Sequence, residues 1–367
     1  MRKSPKVDVQ KHDAAMRTES AVSAGLKWHS PNAAPFYLAG LPWFARNGLY
    51  RRMPNDPARP LPPGVEDTCQ APAGAQVRFR TDSAHLALKV RLSAPAGMYH
   101  MPATGECGFD CYIGAGDSAP RYFKTARWEP KSAEYECELF ALAGRAMRYV
   151  IVNFPLYGGV EKVLLGLDAG ARIEPPPTYA LPGPVVFYGT SITQGGCASR
   201  PGMAFTNIIS RRLNVEVINL GFSGSGRGEP VVAEIIAEIP RPSLYVLDYE
   251  ANCPSVDHLR QTLPEFIRIL RAAHPRAPVL VVSRPRFSAE LFLPAKFQDR
   301  LARRDCLRQC VQTLRAAGDD HIFFLDGSDF LGGDFEECTV DGIHPTDLGF
   351  MRIADAMTPV VRALLGL

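Results

Sequence analysis

The period of the apolar residues changes once along this chain, at a proline-rich stretch, and that change decides what each half can fold into. The stretch runs from 174 to 184 and holds Pro175, Pro176, Pro177, Pro182 and Pro184. Prolines remove backbone donors and stiffen the chain, so it reads as a linker between two units. After it, strand-like and helix-like segments alternate. "PVVFYG", "VEVINLG", "SLYVLDYE", "PVLVVS" and "HIFFLD" are strands, three of them continuous apolar runs. Between them lie segments of helical spacing, such as Phe205, Ile208, Ile209 and Leu213. Five strand–helix units in succession predict an α/β unit over 185–367, a parallel sheet with helices on both faces. Runs apolar on both sides fit strands buried on both faces.

Before the prolines the period is two. "QVRFRTD" sets Val77 and Phe79 against Arg78 and Arg80, and "LALKVRL" puts Leu86, Leu88, Val90 and Leu92 on one face. Further short strand-like segments follow, most of them bounded by Gly, Pro or Ser. They predict an antiparallel, jelly-roll-like β-sandwich over 26–173. "FPLYGGVEKVLLGLD" reads as a hairpin turning at Gly158-Gly159. Residues 1–25 are polar and aperiodic, and a poorly ordered tail is expected there.

At 367 residues the chain has room for two cores, and 46% hydrophobic with 22% charged residues is ordinary for a globular protein. A net charge of +3 without a basic block gives nucleic acid no footprint. No apolar run approaches the ~20 residues of a membrane helix. The basic start lacks an apolar segment behind it, so no secretory signal is expected and a cytoplasmic location is. The nine cysteines are scattered. Cys107/Cys111 and Cys306/Cys310 lack the second pair or the nearby histidines of a zinc site, and Cys306/Cys310 are one helical turn apart. Reduced thiols and no metal are expected. Cys197 and Cys253 lie near the motifs described next, and sequence alone assigns them no bridge. Nothing in the sequence fixes the oligomeric state.

In an open parallel sheet, function gathers at the carboxyl ends of the strands. Ser191 follows the first strand, Gly224 the second, Asn252 the third, and Arg284 and Arg286 the fourth. The segment Asp341-Gly-Ile-His344 follows the fifth. Each has a plain alternative. Ser191 suits a helix cap, Asn252 a turn, and the arginines solvated loops. Together they supply a hydroxyl, a base to take its proton and a carboxylate to hold the base, in the order Ser, Asp, His. The glycines around Gly224 lack a phosphate-loop lysine, and no G-x-G-x-x-G opens a helix after the first strand.

These four segments, "YGTSITQGG", "NLGFSGSG", "DYEANCP" and "DGIHPTDLG", resemble those of the SGNH, or GDSL-type, hydrolases, over about 185–367. The upstream half, with "NGLYRRMP", is similar to the sandwich preceding the catalytic domain in carbohydrate esterases of that family. The family's Asp before the serine is Thr190 here. The resemblance implies a flavodoxin-like five-stranded sheet and an esterase with catalytic Ser191, His344 and Asp341. It implies an oxyanion hole from the Ser191 and Gly224 backbone N–H groups and the Asn252 amide, with no cofactor. Arg284, Arg286, Arg227 and Tyr188 are candidates for substrate contacts. Small side chains in "GGCAS" favour a short acyl group, such as acetyl, on a sugar or similar polar alcohol. An acyltransferase with the same triad and a non-catalytic carbohydrate-binding protein are the alternatives. No nucleic acid or membrane partner is implied.

Overall fold

The computed structural model describes residues 8–18, 21–116 and 118–367. The expectation of a disordered tail falls partly on residues 1–7 and 19–20, which lie outside these. Residues Val9–Lys11 and Ala14–Met16 form single exposed 3-10 turns.

Ten strands precede the proline-rich segment: β1 Leu26–His29, β2 Tyr37–Ala39, β3 Gln76–Thr81, β4 His85–Leu92, β5 Asp110–Ala115, β6 Arg121–Thr125, β7 Glu134–Ala141, β8 Arg148–Asn153, β9 Val160–Asp168 and β10 Ile173–Glu174. They form two antiparallel sheets. One has the order β1-β9-β4-β7, the other β10-β3-β8-β5-β6, with β2 also on β3. Leu86, Leu88, Val90 and Leu92 of the first sheet share a buried cluster with Val77, Phe79, Val150 and Val152 of the second. The period-two pattern thus becomes the filling of a sandwich.

Two local expectations fail here. β8 and β9 do not form a hairpin. β8 is already paired on both edges, with β3 and β5, so β9 joins β1 and β4 in the other sheet. The Gly158-Gly159 segment is a crossing between sheets. Arg78 alternates as a solvent-facing residue would, yet it is 1% exposed. The outer face of β3 is covered by the proline-rich segment and the second half: the Arg78 guanidinium lies over Tyr179, donates to the Tyr149 hydroxyl of neighbouring β8 at 2.6 Å, and reaches Asn214 Oδ1 at 3.4 Å.

The second half holds β11 Val185–Gly189, β12 Val217–Gly221, β13 Leu244–Asp248, β14 Val279–Val282 and β15 Ile322–Leu325. All pair in parallel, in the order β12-β11-β13-β14-β15. Alternate residues of β11 go to opposite faces. Val186 and Tyr188 meet the helices Pro230–Ile236, Val256–Ala273 and Pro294–Ala316, while Val185 and Phe187 meet Phe205–Leu213 and Asp347–Leu365. The chain leaves β11 to one side for β12 and returns past it to β13. The carboxyl end of β11 is therefore the switch point, where two loops diverge and leave a crevice. No helix among the described residues is long and apolar enough to cross a membrane.

The two halves interlock. Arg52, fully buried, reaches from the sandwich side to the carbonyls of Asn219 and Gly221 at the end of β12. Gly105 packs so tightly that a Cβ there would stand 2.0 Å from the Ala198 carbonyl oxygen, in the loop beyond Ser191.

Candidate active site

Ser191 opens a one-turn helix, Ser191–Gln194, directly after β11. Thr190 caps it. Its hydroxyl oxygen accepts from the Ile192 N–H at 3.2 Å, while its own N–H donates to the Thr193 hydroxyl at 3.3 Å. Thr caps as Asp does, with a side-chain oxygen facing the first-turn donors, so the departure at this position keeps the turn intact. Thr193 in turn donates to Asp248 Oδ2 at 3.0 Å, at the end of β13.

His344 sits in the loop before the last helix. Its Nε2 lies 2.8 Å from Ser191 Oγ, and its Nδ1 lies 2.7 Å from Asp341 Oδ2. The backbone N–H groups of Ile343 and His344 donate to Asp341 Oδ1 at 3.0 and 2.8 Å. Burial would raise the Asp341 pKa, but these bonds to backbone and ring outweigh it and hold the carboxyl below its usual range. An ionised carboxylate can only accept, so Nδ1 carries the hydrogen and Nε2 presents a lone pair to the serine. Ser191 thus joins a remote local pair, His344 and Asp341, in one continuous hydrogen-bonded chain.

Gly224 takes a positive φ of 64° at an exposed position in the loop after β12. Among the described residues nothing accepts from the N–H of Ser191 or of Gly224. Asn252 is placed differently from the expectation. Its Nδ2 donates to the Phe222 carbonyl at 3.0 Å and to the Ser225 carbonyl. Two carbonyl acceptors fix the amide orientation and use both its hydrogens. Asn252 is the buckle of the loop that presents Gly224.

The residues expected to touch substrate are engaged elsewhere. Arg284 is 5% exposed and pairs with Glu290 at 2.6 Å, and Glu290 also takes Arg300 at 2.6 Å. Arg286 donates to the Ser328 and Gly332 carbonyls at 3.1 and 2.8 Å, and to Asp329. Arg284 braces its own loop after β14, and Arg286 ties that loop to the one after β15. Tyr188 is fully buried, stacked on Phe266 with its hydroxyl on Glu229. Arg227 is exposed and braces the Gly224 carbonyl at 3.0 Å. All nine cysteines are free, and Cys197 and Cys253 lie on opposite faces of the parallel sheet.

Sequence reasoning missed the sandwich's share of this site. The crossing between β8 and β9 docks on the serine turn. The Gln194 amide donates to the Leu156 carbonyl and accepts from the Ser223 N–H, both at 3.0 Å, and the Tyr157 hydroxyl donates to the Ser191 carbonyl at 3.4 Å. From the loop between β4 and β5, the His100 ring stands 5.7 Å from the His344 ring, edge on, and stacks on Tyr99 at 4.5 Å. No local motif announces these residues.

Beneath the site, Asp248 and Glu250 are buried carboxyls. Burial pushes each up to about 7; the Glu250 charge adds to the rise at Asp248, while Arg284, Arg303 and Arg300 oppose it at Glu250. A carboxyl whose folded pKa exceeds its unfolded value gives the folded state the extra proton. Stability from this pair is therefore present at low pH and falls as pH rises from about 4 to about 7. Asp248→Asn is expected to flatten the profile by one proton, about 1.4 kcal/mol per pH unit mid-window, in melting curves between these limits. A variant with the wild-type slope would place the titration elsewhere.

Residues 183–362 match the GDSL-like lipase/acylhydrolase family, and residues 26–173 match the N-terminal GxDLY module of SGNH-hydrolase-type esterases. A GDSL-like lipase structure from Bacteroides ovatus ATCC 8483 is 27% identical, with a TM-score of 0.84 over 93% of this chain and 98% of that one. The salicylyl-acyltransferase SsfX3 from a tetracycline biosynthetic pathway is 21% identical, with a TM-score of 0.77 over 94% and 98%. A family two carbohydrate esterase from Cellvibrio japonicus is 13% identical, with a TM-score of 0.60 over 93% and 98%. The last two share the fold. No protein of curated function shows significant sequence similarity to the chain. With both halves matched and the whole two-part architecture shared, the chain belongs to the SGNH, or GDSL-like, hydrolases, in the form that carries an N-terminal β-sandwich.

Proposed function

We propose that this chain is a serine esterase that removes short acyl groups, acetyl first, from a carbohydrate or similar polar alcohol. The observation that carries the reading is the unbroken chain from Ser191 Oγ through His344 to Asp341. Ser191 Oγ attacks the ester carbonyl as its proton passes to His344 Nε2. Asp341 keeps the hydrogen on Nδ1 and stabilises the imidazolium. The developing oxyanion is received by the Ser191 and Gly224 N–H groups, which have no other acceptor among the described residues. Collapse expels the alcohol, which takes the proton from Nε2, and leaves an acyl-serine. Water, deprotonated by His344, then attacks that ester and frees the acid. Asn252 contributes by fixing the Gly224 loop, and it becomes a third donor only by releasing one of its two carbonyl partners.

Beside Ser191 the glycine turn packs tightly against the sandwich crossing. A Cβ on Gly196 would meet the Tyr157 hydroxyl at 2.6 Å, and one on Gly195 would meet Leu156 at 2.9 Å. Tyr99, 92% exposed and stacked on His100, offers an aromatic face beside the site on which the C–H face of a sugar ring can rest. The expected result is a kcat/KM for p-nitrophenyl acetate at least about tenfold above that for the octanoate, the preference that a short-acyl site implies. A value that climbs with chain length would overturn the short-acyl reading. The second reading, acyl transfer to an alcohol, is favoured by the architecture shared with SsfX3. Added sugars or polyols decide it. Acylated alcohol outnumbering free acid identifies a transferase.

A further inference from the structure

His344 has a second set of neighbours besides Ser191 and Asp341. One nitrogen of His100, the sulfur of Cys197 and one nitrogen of His344 lie within 4.8 Å of one another. The three residues come from separate places: the sandwich loop between β4 and β5, the loop after Ser191–Gln194, and the loop before the last helix. Cys197 is 5% exposed. His100 Nδ1 is buried and has no hydrogen-bond partner among the described residues. An imidazole nitrogen left unpaired inside a protein needs an explanation, and an absent ligand is one. The His344 ring is oriented as metal-binding histidines are, with Nδ1–H on a carboxylate and the Nε2 lone pair facing only the Ser191 hydroxyl, which a metal would displace.

We propose that His100, Cys197 and His344 form a site for Zn2+, or a divalent ion of similar preference, whose binding silences the enzyme. Two imidazoles and a thiolate suit zinc, and three protein ligands leave the fourth tetrahedral position to water. On binding, the Cys197 thiol gives its proton to solvent as the sulfur–metal bond forms. His100 gives a neutral nitrogen lone pair. The His344 Nε2 lone pair, which otherwise takes the Ser191 proton, goes to the metal. No oxidation state changes. Without metal, burial pushes the Cys197 thiol up to about 12, so the group is inert as a nucleophile. The inhibition rests on the Ser191–His344 reading above, whereas the metal binding does not.

The test uses the full chain stripped with EDTA. Zn2+ is titrated against p-nitrophenyl acetate hydrolysis, and Co2+ is titrated by absorption. The expected result is inhibition by micromolar Zn2+, reversed by EDTA, and a thiolate-to-cobalt charge-transfer band in the near ultraviolet. Cys197→Ser and His100→Ala, each compared with its own metal-free rate, should need at least about tenfold more Zn2+ for half-inhibition. Cys197→Ser should also lose the cobalt band. Equal half-inhibition in all three proteins, or a band that persists without Cys197, overturns the site. So does the absence of both effects up to millimolar metal. If the chain hydrolyses no ester, the cobalt band still decides. A band that needs Cys197 and weakens in His344→Ala supports the site while the esterase reading fails.

Discussion

Ser191→Ala is expected to lower kcat/KM for p-nitrophenyl acetate by about 10⁴- to 10⁶-fold, to the level set by binding and oxyanion donors alone. The substitution removes one oxygen from a side chain that is 8% exposed, and it leaves the turn capped by Thr190, so melting temperature should hold. His344→Ala should cost about as much, because the two residues act as a unit and their losses do not add. Asp341→Asn should cost about 10³- to 10⁴-fold. An amide can donate to Nδ1 and so select the wrong tautomer, turning Nε2 from acceptor into donor. The measurement is a steady-state comparison of the four proteins, with a fluorophosphonate label to count reactive serines. Wild-type turnover that survives in Ser191→Ala would show that another group carries the chemistry.

Much of this site was legible because its chemistry lies on short segments at strand ends. Once β11 to β15 are read from their period, the switch-point rule collects Ser191, Gly224, Asn252 and His344 at one edge of the sheet. Each of these segments is a local fact. What was not legible is set by contacts between distant segments. The Gly158-Gly159 signal predicts a turn and says nothing of which sheet edge is free, so the crossing from β8 to β9 read as a hairpin. Arg284 and Arg286 read as open loop charges because Glu290, Ser328 and Asp329 are their partners only in the folded loops. His100 reaches His344 across the join between the halves. Arg78 shows how alternation misleads where both faces of a sheet are covered, one by its own sandwich and one by a neighbouring unit.

Arg52→Met is expected to destabilise the chain by about 3–5 kcal/mol, a fall in melting temperature of about 10 °C. Among the described residues Arg52 has no carboxylate partner. Its Nε donates to the Ala71 carbonyl at 2.7 Å, and its Nη2 to the Thr68 carbonyl at 2.7 Å. Nη1 donates to the carbonyls of Asn219 and Gly221, and the guanidinium lies 4.9 Å from the centre of the Phe222 ring. Burial lowers its pKa to about 10, so it stays charged at neutral pH, with backbone carbonyl dipoles and a π face in place of a counter-ion. Met can fill the space but takes a donor from three buried carbonyls and the part-buried Thr68 carbonyl, and buried groups cost about 1–3 kcal/mol when left unsatisfied. The effect reaches the chemistry, because Gly221 and Phe222 lead into the loop that carries Gly224 and that Asn252 buckles. A displacement of about 1 Å in a positioning group can cost about 10²-fold, so kcat of the folded variant at 25 °C should fall by at least about tenfold. Arg52→Lys, which keeps the charge but has donors on only one nitrogen, should fall between the two in both readouts. If Arg52→Met melts within about 2 °C of wild type, less than about 1 kcal/mol, the guanidinium is not what joins the sandwich to the end of β12.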